Sequence, residues 1–203
     1  MAGNVLQTAP TAGAVVALLL LSACSGGGVD DGAADPAEEA PAASAVDTGC
    51  LTRTWDLDLP DLASQMAIEL ASDGLEVIEY AGVGRHSITF ADSGEASMSV
   101  DATFSLTVTS GAGPQITVVQ IHTGEPFGQW GWVGDSNVLE FDDWNNGGYE
   151  VQNITAINGV NTEEPIALPS DTLGEANMEV VCDGSTMTTH TLGSPYTHRW
   201  SPA

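Results

Sequence analysis

The sequence predicts an all-β domain, an up-and-down antiparallel barrel of roughly 8–10 strands with one short N-terminal helix. Three observations carry this. From Ser97 to Thr109 the residues alternate without a break, with Met98, Val100, Ala102, Phe104, Leu106 and Val108 apolar and every residue between them Ser, Thr or Asp. Such a period of two marks a long strand with one wet face. Short runs of similar character recur along the chain, separated by turns such as Asp92-Ser93-Gly94, Val133-Gly134-Asp135 and Asp183-Gly184. One segment alone has helical spacing.

In chain order, the candidate strands are Leu51–Leu57, Leu75–Tyr80, His86–Phe90, Ser97–Thr109, Gln115–His122, Gly128–Val133, Asn137–Phe141, Tyr149–Ile157, Met178–Cys182, Thr186–Thr191 and Tyr196–Trp200. Their short spacing favours hairpin connections and therefore a barrel over a sandwich. The helix lies between the first two. Asp58 is a cap candidate and Pro60 an early proline; Leu62, Met66 and Leu70 recur at i, i+4, i+8 beside Ala63 and Ala67, and Gly74 ends the run. Its narrow apolar stripe suits packing against a sheet or closure of one barrel end.

The N-terminal segment has a different character. Thr11 to Ala23 is nearly continuously apolar and ends Leu21-Ser22-Ala23-Cys24. About ten apolar residues fit a signal-peptide core and fall short of the ~20 needed to cross a bilayer. The run resembles the lipobox of bacterial lipoprotein precursors, which implies cleavage before Cys24, lipidation of that cysteine and anchorage at the extracytoplasmic face of the cell membrane. It departs from that pattern in having no Lys or Arg before Pro10. A secretory signal in which Cys24 is incidental is the alternative. On this reading residues 1–23 are a signal peptide and 24–49 a lipidated cysteine with a tether. The tether is rich in Gly, Ala, Pro and acid and too poor in apolar surface to fold. Residues 50–203 form one domain of barrel size.

Cys50 and Cys182 are the cysteines that remain. Export makes a disulfide between them the expected state, bracketing the domain. Charge narrows the partners further. The chain has 28 acids against three arginines and no lysine, for a net charge of −25; six acids lie in the tether, leaving −19 on the domain. Nucleic acid and anionic lipid are excluded as partners of such a surface, and membrane contact is left to the lipid anchor. No protein partner is legible.

The domain's first strand, Cys50-Leu51-Thr52-Arg53-Thr54-Trp55, resembles the opening strand of lipocalin-like (calycin) barrels. In that superfamily the first-strand tryptophan packs across the closed barrel end against a basic residue of the last strand. The resemblance implies that Trp55 and Arg199 form a barrel-closing pair, a cation–π contact of ~0.5–2 kcal/mol. Arg53 stands where those barrels have glycine. Gly128-Gln129-Trp130 and Cys182-Asp183-Gly184-Ser185-Thr186-Met187 are similar to features of actinobacterial lipoproteins. A core tryptophan with no such role is the alternative for Trp55.

Sites of chemistry are sparse. His86, His122, His190 and His198 are not spaced as a ligand set, and each reads as a surface or strand residue. No nucleophile elbow, phosphate loop or Cys-x-x-Cys occurs, so no enzyme and no catalytic residue is expected. No cofactor is expected either, although Asp142, Asp143 and Asn145, followed by Asn146-Gly147-Gly148, offer the oxygen donors and glycine freedom that Ca²⁺ accepts. That segment otherwise reads as a wide polar turn. The unpatterned stretch from Asn158 to Asn177 is a candidate lid. The expected function is that of a membrane-anchored lipoprotein binding a small apolar or amphipathic ligand at the cell envelope. Met98, Val100, Phe104, Leu106 and Val108 would line the site, with Trp130 and Trp132 at its mouth. The alternative is a structural or interaction lipoprotein of the envelope that binds no such ligand, its stripe being plain core.

Overall fold

The structure, a computed structural model, describes residues 48–166, 168 and 177–203. The expected signal peptide, Cys24 and the expected tether through residue 47 lie outside them, while the last two tether positions, Thr48 and Gly49, begin a short helix. The elements run α1 Thr48–Leu51, β1 Thr54–Leu57, α2 Leu59–Ser72, β2 Glu76–Phe90, β3 Glu95–Thr109, β4 Gln115–Gly124, β5 Phe127–Trp132, β6 Val138–Asn145, β7 Glu150–Ile157, β8 Val160–Asn161, β9 Met178–Cys182, β10 Met187–Thr191 and β11 His198–Pro202. Eight strands close into an antiparallel barrel in the order β1-β2-β3-β5-β6-β9-β10-β11 and back to β1. Each barrel strand pairs with the next one along the chain, as an up-and-down barrel requires. The remaining strands, β4, β7 and β8, branch from β3 as a lateral wing.

The branch follows from the length of β3. On one edge it pairs with β2 from Phe90↔Ala96 to Glu76↔Thr109. On the other edge Glu95–Ser97 pair with β5, while Val100–Thr109 pair with β4. The predicted alternation holds along it, and Met98, Val100, Ala102, Phe104, Leu106 and Val108 are all buried. The two strands predicted at Leu75–Tyr80 and His86–Phe90 are one continuous β2. The glycines between them serve close approach rather than a turn: a Cβ on Gly82 would collide with the backbone carbonyl of Leu59, so glycine lets the start of α2 lie directly on the strand.

Helix α2 forms where its sequence signals place it. Asp58 accepts the N–H of Asp61 at 3.0 Å as N-cap, and Pro60 sits in the first turn. Leu62, Ala63, Met66 and Ala67 are buried against β2 and β3, with Leu70 partly so. Gln65 ties the helix to the residue just before β11, accepting from Thr197 N at 2.9 Å and donating to Thr197 O at 2.7 Å.

The predicted Leu51–Leu57 strand is shorter, because α1 occupies Thr48–Leu51. Trp55, 0% exposed, donates from Nε1 to the carbonyl of Leu51 at 3.1 Å. The Cys50–Cys182 disulfide is present, with Cα atoms 6.1 Å apart across 132 residues of chain. The residues after Cys182 form the β9–β10 turn. Asp183 Oδ1 accepts from the backbone N–H of Ser185 and Thr186 at 3.0 and 2.8 Å, and those bonds hold its carboxyl down at about 2. Gly184 N donates to Cys50 Sγ at 3.0 Å.

The expected pairing of Trp55 with Arg199 is not formed. The guanidinium over the Trp55 ring is that of Arg53, 5.3 Å from the centroid, and Arg53 Nη1 also donates to Gly184 O at 3.1 Å. Arg199 instead meets Asp61 of α2 at 3.3 Å and is largely exposed. Strand parity is the reason: Trp200 points into the core opposite Met187, so its neighbour Arg199 must point out.

Two measurements test these ties. Replacing both cysteines by alanine should lower unfolding free energy by about 4–5 kcal/mol in urea titrations; an unchanged midpoint would show that the staple constrains nothing. In the same assay Arg53→Ala should cost about 1 kcal/mol, and Arg199→Ala about a few tenths. The opposite ranking would restore Arg199 as the closing residue.

Candidate functional site

The apolar stripe expected to line a ligand pocket is packed as core. Met98, Val100, Phe104 and Leu106 belong to one hydrophobic cluster with Trp55, Phe90, Leu139, Met187 and Trp200, and Val108 is buried beside it. Burying side chains of this size contributes about 1.5–3 kcal/mol each. Trp130 and Trp132 are half-buried on the same cluster. The Trp130 ring lies edge-on to Phe90 at 5.6 Å and to Trp132 at 6.2 Å, and its Nε1 donates to the carbonyl of Ala91 at 3.3 Å.

A buried polar network occupies the inner face of the wing. Gln120 donates its amide hydrogens to Asn153 Oδ1 at 3.0 Å and Leu168 O at 3.2 Å, so its Oε1 faces His122. His122 Nε2 therefore carries the proton and donates to Gln120 at 2.7 Å, and Nδ1 accepts from the Tyr149 hydroxyl at 2.7 Å. Burial pushes Tyr149 up to about 12 and His122 down to about 4, which keeps that donor and acceptor neutral. His86 lies edge-on to Trp200 at 5.7 Å; burial, and then the nearby His198 and His122, lower it to about 3. The network fixes part of the predicted lid. Ile166 N donates to Thr155 Oγ1 at 2.7 Å and Leu168 O is held by Gln120, so this stretch crosses the wing's inner face. Residues 169–176 of the lid lie outside the described residues.

These histidines were read from the sequence as surface or strand residues; His86, His122 and His198 are strand residues, and all three are buried. Their signal was parity. His122 shares a face with Gln120 and Val118, and His198 with Trp200. Burial keeps His86 and His122 neutral, and the hydrogen-bond partners of His122 are an amide and a phenol, neither of them a nucleophile poised for attack.

An open site lies on the outer face of β2 and β3, where the sheet forks. It is a groove of about 420 Å³ lined by Ser87, Thr89, Ser97, Met98, Ser99, Glu125 and Phe127. Ser87 opposes Ser99 and Thr89 opposes Ser97 across the β2–β3 ladder, and Ser97 opposes Phe127 of β5. Thr54 of β1 extends the row, its Oγ1 2.8 Å from that of Thr89. Ser87, only 5% exposed, makes no side-chain hydrogen bond among the described residues, while the Phe127 ring is 51% exposed. At one end Arg85 Nε meets Asp56 Oδ1 at 3.2 Å. The wall formed by Glu125 and Pro126 is set from behind: Glu125 N donates to Gly147 O at 3.1 Å and Met98 N to Pro126 O at 2.8 Å. Gly147, at φ 53°, has no room for a Cβ against the Glu125 carbonyl.

The Asp142–Gly148 segment is thus partly strand and partly support. Asp142, Asp143 and Asn145 lie on β6, which bulges at Asp143 (φ 50°), and Asn145 Oδ1 is occupied in accepting from Gly147 N at 2.9 Å. Among the described residues no three His, Cys, Asp or Glu side chains are grouped to hold a metal ion. Among them, too, no helix is long and apolar enough to cross a membrane. Cys24, the residue expected to be lipidated, lies outside them. No family profile, curated protein or solved structure matches the chain.

The histidines impose a pH dependence. Below pH 6.5 the unfolded chain protonates His86 and His122, whereas the folded chain leaves both neutral down to about 4. The unfolded state then binds more protons, so stability falls with falling pH by up to about 1.4 kcal/mol per pH unit for each histidine. Asp183 adds acid loss below 3.8, fully developed under about 2. Urea midpoints should be flat above the histidine range and fall from pH 6.5 towards 4, and His86→Phe should remove one proton's share of that slope. A midpoint independent of pH across this window would show that the histidines are not buried as neutral groups.

Proposed function

We propose that this chain is an exported, non-catalytic lipoprotein, anchored through Cys24 at the extracytoplasmic face of the membrane, that interacts by the outer surface of its barrel. The observation that carries this reading is the packing of Met98, Val100, Phe104 and Leu106 into a continuous core with Trp55, Phe90 and Trp200. Residues that would line a carrier's pocket are used up against one another, which favours an interaction lipoprotein over a carrier of apolar ligands. The open groove, by contrast, faces outward.

Support for export comes from the lipobox-like Leu21-Ser22-Ala23-Cys24 and from the Cys50–Cys182 disulfide, which persists in oxidising compartments. The lipocalin-like resemblance has support in the eight-strand barrel with next-neighbour pairing and in the cation held over Trp55, supplied by Arg53. A tether of Gly, Ala, Pro and acid after Cys24 would lift an acidic domain off an anionic bilayer and leave its faces accessible.

Native mass spectrometry of the full chain purified from membranes tests the reading. The expected result is a chain beginning at Cys24, with covalent acylglyceryl mass, the two-hydrogen deficit of one disulfide and no dissociable adduct. A lipid-sized molecule released on denaturation would return the assignment to an interior carrier. A Cys24 thiol without acyl mass would remove the anchor.

A further inference from the structure

We infer that the outer groove at the fork of β3 is a binding site for a neutral saccharide chain. This deepens the reading of the outer face as the interacting surface and rests on it. A row of Ser and Thr on a strand is ordinarily a solvated face and would carry nothing alone. Here the row lies in a groove of about 420 Å³, large enough for a few sugar rings. Ser87 at its floor is 5% exposed, and its hydroxyl, bonded to no described residue, keeps what accessible surface it has in the groove it lines. A hydroxyl whose bonding capacity is unspent inside a groove is available to a ligand's own donor or acceptor.

The chemistry of the walls selects the ligand. Ser87, Thr89, Ser97 and Ser99 each supply a group that both donates and accepts, at the strand and residue spacing of a sheet. That suits a ligand bearing many hydroxyls of its own and gives little to a purely apolar one. The half-exposed ring of Phe127 presents an apolar face beside them, which matches the C–H face of a pyranose. Glu125 adds a carboxylate able to accept from two neighbouring hydroxyls. The net charge of −25 and the pairing of Arg85 with Asp56 leave no free cation in the groove for a polyanionic glycan, so the saccharide is uncharged.

The test uses the disulfide-bonded full chain with its amide resonances assigned. Maltohexaose, mannohexaose, xylohexaose and chitohexaose are titrated up to their solubility limits, with oligogalacturonate and decalysine as charged controls. The expected result is saturable shifts from at least one neutral hexasaccharide, confined to Ser87, Thr89, Ser97, Ser99, Glu125 and Phe127. Phe127→Ala and Glu125→Gln should each weaken that binding roughly tenfold, about 1.4 kcal/mol, with the remaining spectrum unchanged. Ser99→Val, at an exposed strand position, gives a second variant whose fold is preserved. Saturable shifts located elsewhere, unaltered affinity in these variants, or no response to any of the neutral sugars would overturn the inference. Decalysine binding in the groove would also overturn it, while leaving the outer face as the interacting surface. Loss of that broader reading would instead appear as a released lipid in the mass spectrum.

Discussion

The split pairing of β3 organises this molecule. Its fifteen residues hydrogen-bond to β2 along one edge, but the other edge is divided between β5 at Glu95–Ser97 and β4 from Val100 onward. Where the edge changes partner, the chain between β4 and β5 passes through Glu125 and Pro126, and Met98 N is held by Pro126 O. The barrel closes on one side of this fork and the wing opens on the other. Because side chains alternate with a period of two, the fork also divides chemistry by face: the inner residues of β3 join the core, and the outer hydroxyls line the groove. A register slip of one residue would exchange the two sets, so the same alternation that stabilises the fold protects the site.

The interior is unusual in how much polar chemistry it holds. Gln120, His122, Thr155, Thr189 and His198 are buried along with His86. Burying such groups is costly unless their hydrogen bonds are kept, and the chain from Tyr149 through His122 and Gln120 to Leu168 keeps those of His122 and Gln120, while Thr155 accepts from Ile166 N and Thr189 from Trp200 Nε1. The network does two things at once. It holds His122 as one neutral tautomer, and it fastens Leu168, after β8, to β4 through Gln120. At the other end of the domain, the disulfide, the Asp183 turn and the Arg53 guanidinium converge on the first turn of chain before Trp55. The two ends of the domain are thereby fixed to each other where the barrel begins.

Much of the secondary structure was legible because its signals are local. The alternation of β3, the capped start of α2 and the Asp-Gly turn before β10 each depend on residues a few positions apart. The disulfide was legible from cysteine parity and the expectation of export. Errors arose where local signals carry two meanings. Leu75–Tyr80 and His86–Phe90 read as two strands, whereas β2 runs through both and Gly82 between them makes room for the Leu59 carbonyl. Asp142 and Asp143 read as a polar turn, whereas β6 continues through a bulge. Arg199 stands in the last strand, where the resemblance implies the closing cation, and the parity set by Trp200 turned it outward to Asp61.

By itself the sequence determined the all-β class, the antiparallel pairing, the single long helix, the staple and the acidic exterior, because each is written in spacing, composition or cysteine number. It also determined that Met98, Val100, Phe104, Leu106 and Val108 share one face. Only the tertiary structure decided that Met98, Val100, Phe104 and Leu106 join one hydrophobic core with Trp55, Phe90 and Trp200, since that depends on what the opposite strands supply. The groove was equally hidden. Thr54, Ser87, Ser97 and Phe127 come from four strands, and ordinary polar alternation on each strand becomes a site only when closure of the barrel brings those faces side by side.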